Sequence, residues 1–270
     1  MQLHFWGVRG SIATPRPDNL RHGGNTACLD VRLPTGEILI FDCGTGLRNL
    51  GVYLDETHAP EDELRIFFTH FHWDHMQGIP FFLPLYSAEH RVVFTSSLPP
   101  EELRQLLEGQ MSAPYFPIPF DFMPAQQEFL QIGDQPHRVG DFSVSSFSLH
   151  HPQGCSGYRI EANGASIVYA SDHEHGDAAT DRALRRHAAH ADILIYDAQY
   201  TPDDYVAHQG WGHSTWLEAT RVARDAEVGQ LILFHHEPSR TDAQLDAIVE
   251  SARREFPNTV AAIEGHDFYC

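Results

Sequence analysis

A short apolar stretch, Leu64-Arg65-Ile66-Phe67-Phe68, runs straight into Thr69-His70-Phe71-His72-Trp73-Asp74-His75, which packs four potential metal ligands into six residues. This junction limits the fold more than any other part of the chain. The apolar stretch reads as a short buried strand, so the ligands sit where a strand ends and the backbone turns outward. His70 and His72, two residues apart, can point to the same side of an extended segment. Asp74 and His75 follow after the bend and can serve a second ion a few ångströms away. Imidazoles and a carboxylate crowded together are costly unless a cation gathers them.

Three further clusters follow apolar strands in the same way. Leu149 is followed by His150-His151-Pro152, Ala170 by Ser171-Asp172-His173-Glu174-His175, and Phe234 by His235-His236-Glu237-Pro238. One strand-end histidine carries little information. Four clusters in sequence imply loops that converge at one edge of a sheet and build one site.

The rest of the chain reads as alternating strands and helices. Early strands are expected over 2–6, 26–33 and 37–41, with a turn at Pro34-Thr35-Gly36. A helix over 47–54, a solvated acidic loop over 55–63 and a short helix over 76–82 are expected next. A strand over 91–95 and a helix over 100–108 precede a proline- and aromatic-rich stretch, 109–119, that suits neither. That stretch reads as a packed loop or as part of a lid spanning about 96–130. Later strands fall at 142–149, 157–162 and 166–170, antiparallel, with a hairpin turn at Asn163-Gly164. Helices over 178–189, 214–226 and 241–255 then alternate with strands over 192–196, 230–234 and 259–263, with Ser214 or Thr215 near one N-cap. The pattern suits two sheets face to face with helices outside: an α/β (α+β) class and a single domain over 1–270.

Charge narrows the partners. Lys+Arg 18 against Asp+Glu 37 gives −19, and two divalent ions would raise this only to roughly −15. Such a chain is not built to grip a long polyanion, although a small anion can sit at a metal site. No apolar run is long enough to span a bilayer, and no basic-then-apolar leader opens the chain. The four cysteines have no CxxC spacing. A cytoplasmic protein with reduced thiols is expected.

The motif His70-x-His72-x-Asp74-His75, with His151, Asp172 and His235 behind it, resembles the metallo-β-lactamase fold superfamily across nearly the whole chain. The segments Gly7-Val8-Arg9-Gly10-Ser11-Ile12, Gly23-Gly24-Asn25-Thr26 and Phe41-Asp42-Cys43-Gly44-Thr45-Gly46 resemble its phosphodiesterase branch, which includes tRNase Z, PhnP-like and cyclic nucleotide phosphodiesterases. The resemblance implies an αβ/βα four-layer sandwich and two divalent metals, zinc first, with manganese or iron as alternatives. One ion would be held by His70, His72 and His151, the other by Asp74, His75 and His235, with Asp172 bridging. His151 is taken over His150 because it precedes Pro152, as in relatives, and His235 over His236 because it directly ends its strand. Asp42 matches a residue that supports the metal loop, and Arg9 and Asn25 are read as stabilising the N-terminal loops.

Ile195-Tyr196-Asp197-Ala198-Gln199-Tyr200 matches the place where the tRNase Z branch carries a Glu-containing segment, with Asp in place of Glu. Gly212-His213-Ser214-Thr215 resembles the Gly-His-Ser segment that follows. The resemblance implies that Asp197 orients His213, which contacts a phosphate oxygen or protonates the leaving alkoxide. Asp74, His213 and Asp197 are the catalytic candidates. His173, Glu174 and His175 flank Asp172 and are read either as outer or substrate contacts of the site or as structural or surface residues, outside the ligand set. The expected function is hydrolysis of a small phosphodiester, foremost a 3′,5′-cyclic nucleotide, by in-line attack of a metal-bridging hydroxide. Within the class, tRNA 3′ processing and other cyclic phosphodiesterase activity are the alternatives. Outside it stand thioester or lactam hydrolysis and a non-catalytic metal-binding sensor. No membrane or long nucleic acid is expected as partner, and a homodimer is possible.

Overall fold

The computed structural model describes residues 1–57 and 63–270; the middle of the expected acidic loop lies outside them. Among the described residues, two sheets of seven strands face each other. The first runs β14 (Asp267–Tyr269), β1 (Gln2–Gly7), β2 (Cys28–Arg32), β3 (Ile38–Phe41), β4 (Glu63–Phe67), β5 (Arg91–Ser96), β6 (Gln126–Gln131). The second runs β13 (Thr259–Ala261), β12 (Gln230–Phe234), β11 (Ile193–Asp197), β10 (Ala165–Ala170), β9 (Cys155–Ala162), β8 (Phe142–Leu149), β7 (His137–Val139).

Helices α1 (Leu47–Thr57) and α3 (Pro100–Gln110) cover the first sheet. Helices α4 (Ala178–Ala188), α6 (Trp216–Asp225) and α7 (Asp242–Glu255) cover the second. Two single-turn helices, α2 (Trp73–Met76) and α5 (Pro202–Tyr205), lie in connecting loops. The four-layer αβ/βα sandwich is therefore the architecture of the chain.

Strand alternation explains the layers. In β3, Leu39 and Phe41 enter the core between the sheets, whereas Ile38 and Ile40 pack outward under the helices. In β12, Ile232 and Phe234 face inward and Leu231 and Leu233 outward. Burial on both faces is why these strands read as unbroken apolar runs. Phe41 and Phe67 stack at 5.1 Å in the first sheet, and Tyr158 and Tyr169 of the second sheet pack on Phe41 at 5.4 and 6.1 Å. Truncating Phe67 to alanine there should cost about 3–5 kcal/mol.

Strands β3 to β6 run parallel, as do β10 to β13. The carboxyl ends of β3, β4, β10, β11 and β12 carry Asp42, the His70–His75 cluster, Asp172, Asp197 and His235. At three of these ends the backbone turns through positive φ: Asp42 at 58°, Asp172 at 58° and His235 at 59°. Asp and His tolerate this left-handed region better than most residues. The sharp turn swings each side chain off its strand and into the space between the sheets' ends.

Several expectations are corrected. The helix expected over 76–82 starts at Trp73 and stops at Met76, and two 3-10 turns, Ile79–Phe81 and Leu83–Tyr86, follow. Pro80 and Pro84 cannot supply the amide hydrogens a longer helix needs. Strands β6, β7 and β14 were not expected. All lie at or next to a sheet edge, where a polar sequence such as Gln126-Gln127-Glu128 still completes a ladder. The 109–119 stretch packs on the outer core through Met111 and Phe116.

Candidate metal centre

The HxHxDH segment, with its two imidazoles on the extended part and Asp74 and His75 on α2, faces the second sheet's loops. His70, His72 and His151 form one group, and Asp74, His75 and His235 another; within each, the candidate ligand atoms lie within 4.8 Å of one another. His151 Nε2 lies 3.1 Å from His72 Nδ1, and His75 Nε2 lies 3.2 Å from His235 Nε2. The Asp172 carboxylate sits between the groups. It is 3.8 Å from His70 Nε2 and from His151 Nε2, 3.1 Å from His75 Nε2 and 3.4 Å from His235 Nε2. Both groups draw on both sheets.

The far nitrogen of each imidazole is tied down. His75 Nδ1–H donates to Asp42 Oδ2 at 2.8 Å, His151 Nδ1–H to the Gly212 carbonyl at 2.7 Å, and His235 Nδ1–H to Gln199 Oε1 at 2.9 Å. His72 Nε2–H donates to Gln153 Oε1 at 3.0 Å. Each acceptor holds one ring nitrogen and turns the other toward the cluster. His70 Nε2 is buried without a hydrogen-bond partner among the described residues. Burial, reinforced by the neighbouring His75, holds His70 well below its ordinary pKa, so its imidazole is neutral. Facing imidazole nitrogens, an orphaned nitrogen and two carboxylates make a donor set that fits divalent cations accepting nitrogen and oxygen.

The doubled histidines separate clearly. His150 turns away and bonds the Glu174 carbonyl at 3.0 Å, and His236 bonds the Ala262 carbonyl at 3.0 Å. Asp74 Oδ2 accepts the Ser11 amide at 2.7 Å. Gly10 packs so closely on His235 that a Cβ there would lie 2.5 Å from the ring. Arg9 is fully buried and donates to the Gly23, Glu237 and Arg240 carbonyls, and Asn25 bonds Glu264; both hold loops.

His213 lies beside both groups, its ring 5.2 Å from that of His151 and 4.8 Å from that of His235. Its Nδ1 donates to Asp197 Oδ2 at 2.8 Å. Burial pulls its pKa down, but the charge and hydrogen bond of Asp197, helped by Asp172, outweigh this and push it up to about 9. Asp197 also accepts the amides of Asp172, Gln199 and Ser214, each at 3.1 Å, which fixes the carboxylate.

Gln199 and Gln153 were not read as site residues from the sequence, and Glu174 was left between an outer contact and a structural role. Glu174 accepts from Tyr205 Oη at 3.0 Å, from the Gly210 amide at 2.7 Å and from the Gly212 amide at 2.8 Å. It thereby braces the loop that carries His213 and the carbonyl holding His151. Gly212 has φ of 87°, and a Cβ there would lie 2.2 Å from His151 Nδ1. Glu174, Gln199 and Gln153 each stand two positions after a site residue: Asp172, Asp197 or His151.

A model described as a β-lactamase superfamily domain matches residues 38–236. The chain belongs to that superfamily. A ribonuclease Z of Thermoplasma acidophilum is 25% identical over 303 residues, covering 96% of this chain and 93% of that protein. The metallo-β-lactamase fold protein YhfI from Bacillus subtilis superposes with a TM-score of 0.75 at 20% identity, over 99% of this chain and 98% of that one. A diphosphatase of the PhnP family superposes with a TM-score of 0.72 at 18% identity, over 100% of this chain and 97% of that one. These relatives agree with the phosphodiesterase-branch resemblance of the N-terminal segments. No helix among the described residues is long and apolar enough to cross a membrane.

Proposed function

We propose that this β-lactamase superfamily member is a two-metal phosphodiesterase acting on a small phosphodiester, foremost a 3′,5′-cyclic nucleotide. The observation that carries the reading is the Asp197–His213 pair set against two ligand groups joined by Asp172. His70, His72 and His151 would hold one ion and Asp74, His75 and His235 the other, zinc being the first to test. Ions held there supply charge neutralisation for the phosphate and an activated water. His213, protonated against Asp197, donates to the departing alkoxide through Nε2, while Asp197 keeps its Nδ1–H in place. Asp172 and Asp74 balance the cationic charge. We read residues 1–270 as one hydrolase domain and the segment about 96–130 as a lid or wall beside the site.

A second reading, tRNA 3′ processing, is favoured by relatives named ribonuclease Z that match almost this whole chain. Charge argues for the small substrate instead. The chain has no lysine, and residues 96–130 carry Arg104 against five carboxylates. Arg104 itself is paired with Glu108 and Asp121.

A metal-activity matrix over cyclic nucleotides, bis(p-nitrophenyl) phosphate and a precursor tRNA tests both readings. Turnover of cyclic nucleotides without specific tRNA cleavage is the expected result. Cleavage at the tRNA 3′ end at moderate salt favours the second reading. Failure of every diester, with Asp74→Ala behaving like wild type, removes both.

A further inference from the structure

Beside the His70/His72/His151 group a cleft of about 700 Å³ opens between the two sheets' edges, walled by α3 and the strand ends of β6, β8 and β9. Its volume lies within the ~300–1,000 Å³ of small-ligand pockets. His70, His72 and Gln153 line its inner end, so a diester seated at the ligand groups has one ester arm within reach of it.

The lining is chemically mixed. Apolar walls come from Leu98, Leu106 and Phe147, and hydroxyl and amide groups from Ser97, Ser148 and Gln131. This combination suits a flat heterocycle joined to a hydroxylated sugar. The charged groups at the cleft are both carboxylates, Glu102 on the first turn of α3 and Asp134 beyond β6. No arginine lines it among the described residues, and Arg104, on the same helix, is spent on Glu108 at 2.6 Å and Asp121 at 2.5 Å.

We propose that this cleft holds one ester arm of the substrate, takes an uncharged nucleoside, and turns away nucleoside arms that carry a further phosphate. The proposal rests on the phosphodiesterase reading and sharpens it. The substrate has the scissile phosphate as its single anionic group, as a cyclic mononucleotide does. Two carboxylates with no basic side chain beside them among the described residues repel a second phosphate there, although both lie at an exposed rim where salt screens them.

The test compares two chromogenic substrates of the metal-loaded protein at low salt: thymidine 5′-(p-nitrophenyl phosphate) and the same compound with a 3′-phosphate. The ratio of their kcat/KM values is an internal control for folding and metal content. The expected ratio is at least tenfold in favour of the uncharged arm. It should narrow several-fold in Glu102→Gln/Asp134→Asn and approach unity or invert in Glu102→Arg/Asp134→Arg. Glu250→Gln/Glu255→Gln on α7 makes the same charge change far from the cleft and should leave the ratio as it was.

Equal rates for the two arms in the wild type overturn the proposal, as does an equal narrowing in the α7 variant. If neither substrate nor bis(p-nitrophenyl) phosphate is turned over, the phosphodiesterase reading falls instead. Calorimetric titration with thymidine 5′-monophosphate and thymidine 3′,5′-bisphosphate then reads the cleft alone. Tighter binding of the monophosphate supports the proposal, and equal or reversed affinities overturn it.

Discussion

Replacing Glu174 by glutamine changes no candidate ligand and no volume, yet it should slow catalysis sharply. The carboxylate accepts three hydrogen bonds, two of them from the Gly210 and Gly212 amides, and is 6% exposed. A glutamine amide has one oxygen to accept with and one nitrogen that cannot. Whichever way it turns, at least one donor loses its partner. Hydrogen bonds to a charged group contribute about 1.5–3 kcal/mol each, and a stranded amide costs a similar amount. A net loss of about 2–3 kcal/mol from the loop carrying Gly212 and His213 corresponds to roughly 30- to 150-fold in rate if the ordered loop is the active one. Stopped-assay kcat for a cyclic nucleotide, at metal content matched by elemental analysis, reads this directly. Tyr205→Phe removes one bond of the three and should fall less than tenfold. A kcat for Glu174→Gln within threefold of wild type at full metal content would refute the bracing argument.

Other outcomes follow from the same geometry. Asp197→Asn or His213→Gln should lower kcat about 100-fold or more for a ribose leaving group, but under tenfold for p-nitrophenolate, which departs without a proton; equal losses on both would remove His213 as the acid. Chelation should lower the melting temperature by about 5–10 °C, since a ligand at about 100 times its Kd stabilises by about 2.7 kcal/mol and a domain of this size shifts about 2–4 °C per kcal/mol. An unchanged melting curve would deny a bound ion. Buried His22 is 2% exposed, and desolvation holds its pKa below the ordinary value, partly offset by Asp246. The unfolded chain therefore takes up this proton first, and the stability tied to it is complete above about pH 6.5 and lost as pH falls below that, at up to about 1.4 kcal/mol per pH unit. Denaturant unfolding of metal-free protein at pH 7.5 and 5.5 should show a smaller loss in His22→Gln, and an identical loss would refute the assignment.

Much of this site was legible because its parts stand directly after apolar strands. Phe68 before Thr69-His70, Ala170 before Ser171-Asp172 and Phe234 before His235 mark where the chain leaves a buried sheet, and such ends gather on one side of parallel strands. The edge strands were harder to read. Gln126–Gln131 has no apolar alternation because an edge strand's exposed side chains face solvent. Gln153 was missed, and Glu174 left between two roles, because their work is to hold main-chain groups and tautomers. Residue type and spacing say little about a partner that is a distant backbone amide, such as that of Gly212, 38 positions away.

Each ligand group takes members from both sheets: His70 and His72 with His151, Asp74 and His75 with His235. The site is thus a gauge of how the two sheets sit on one another. A slip of an ångström along their shared face would open both groups at once, while leaving each sheet's own ladder intact. The aromatic contacts of Phe41 with Tyr158 and Tyr169, and the Tyr169 hydroxyl's 2.8 Å bond to Asp42, resist that slip. Substitutions in this seam, far from any phosphate, should therefore register first as weakened metal affinity, before unfolding is visible.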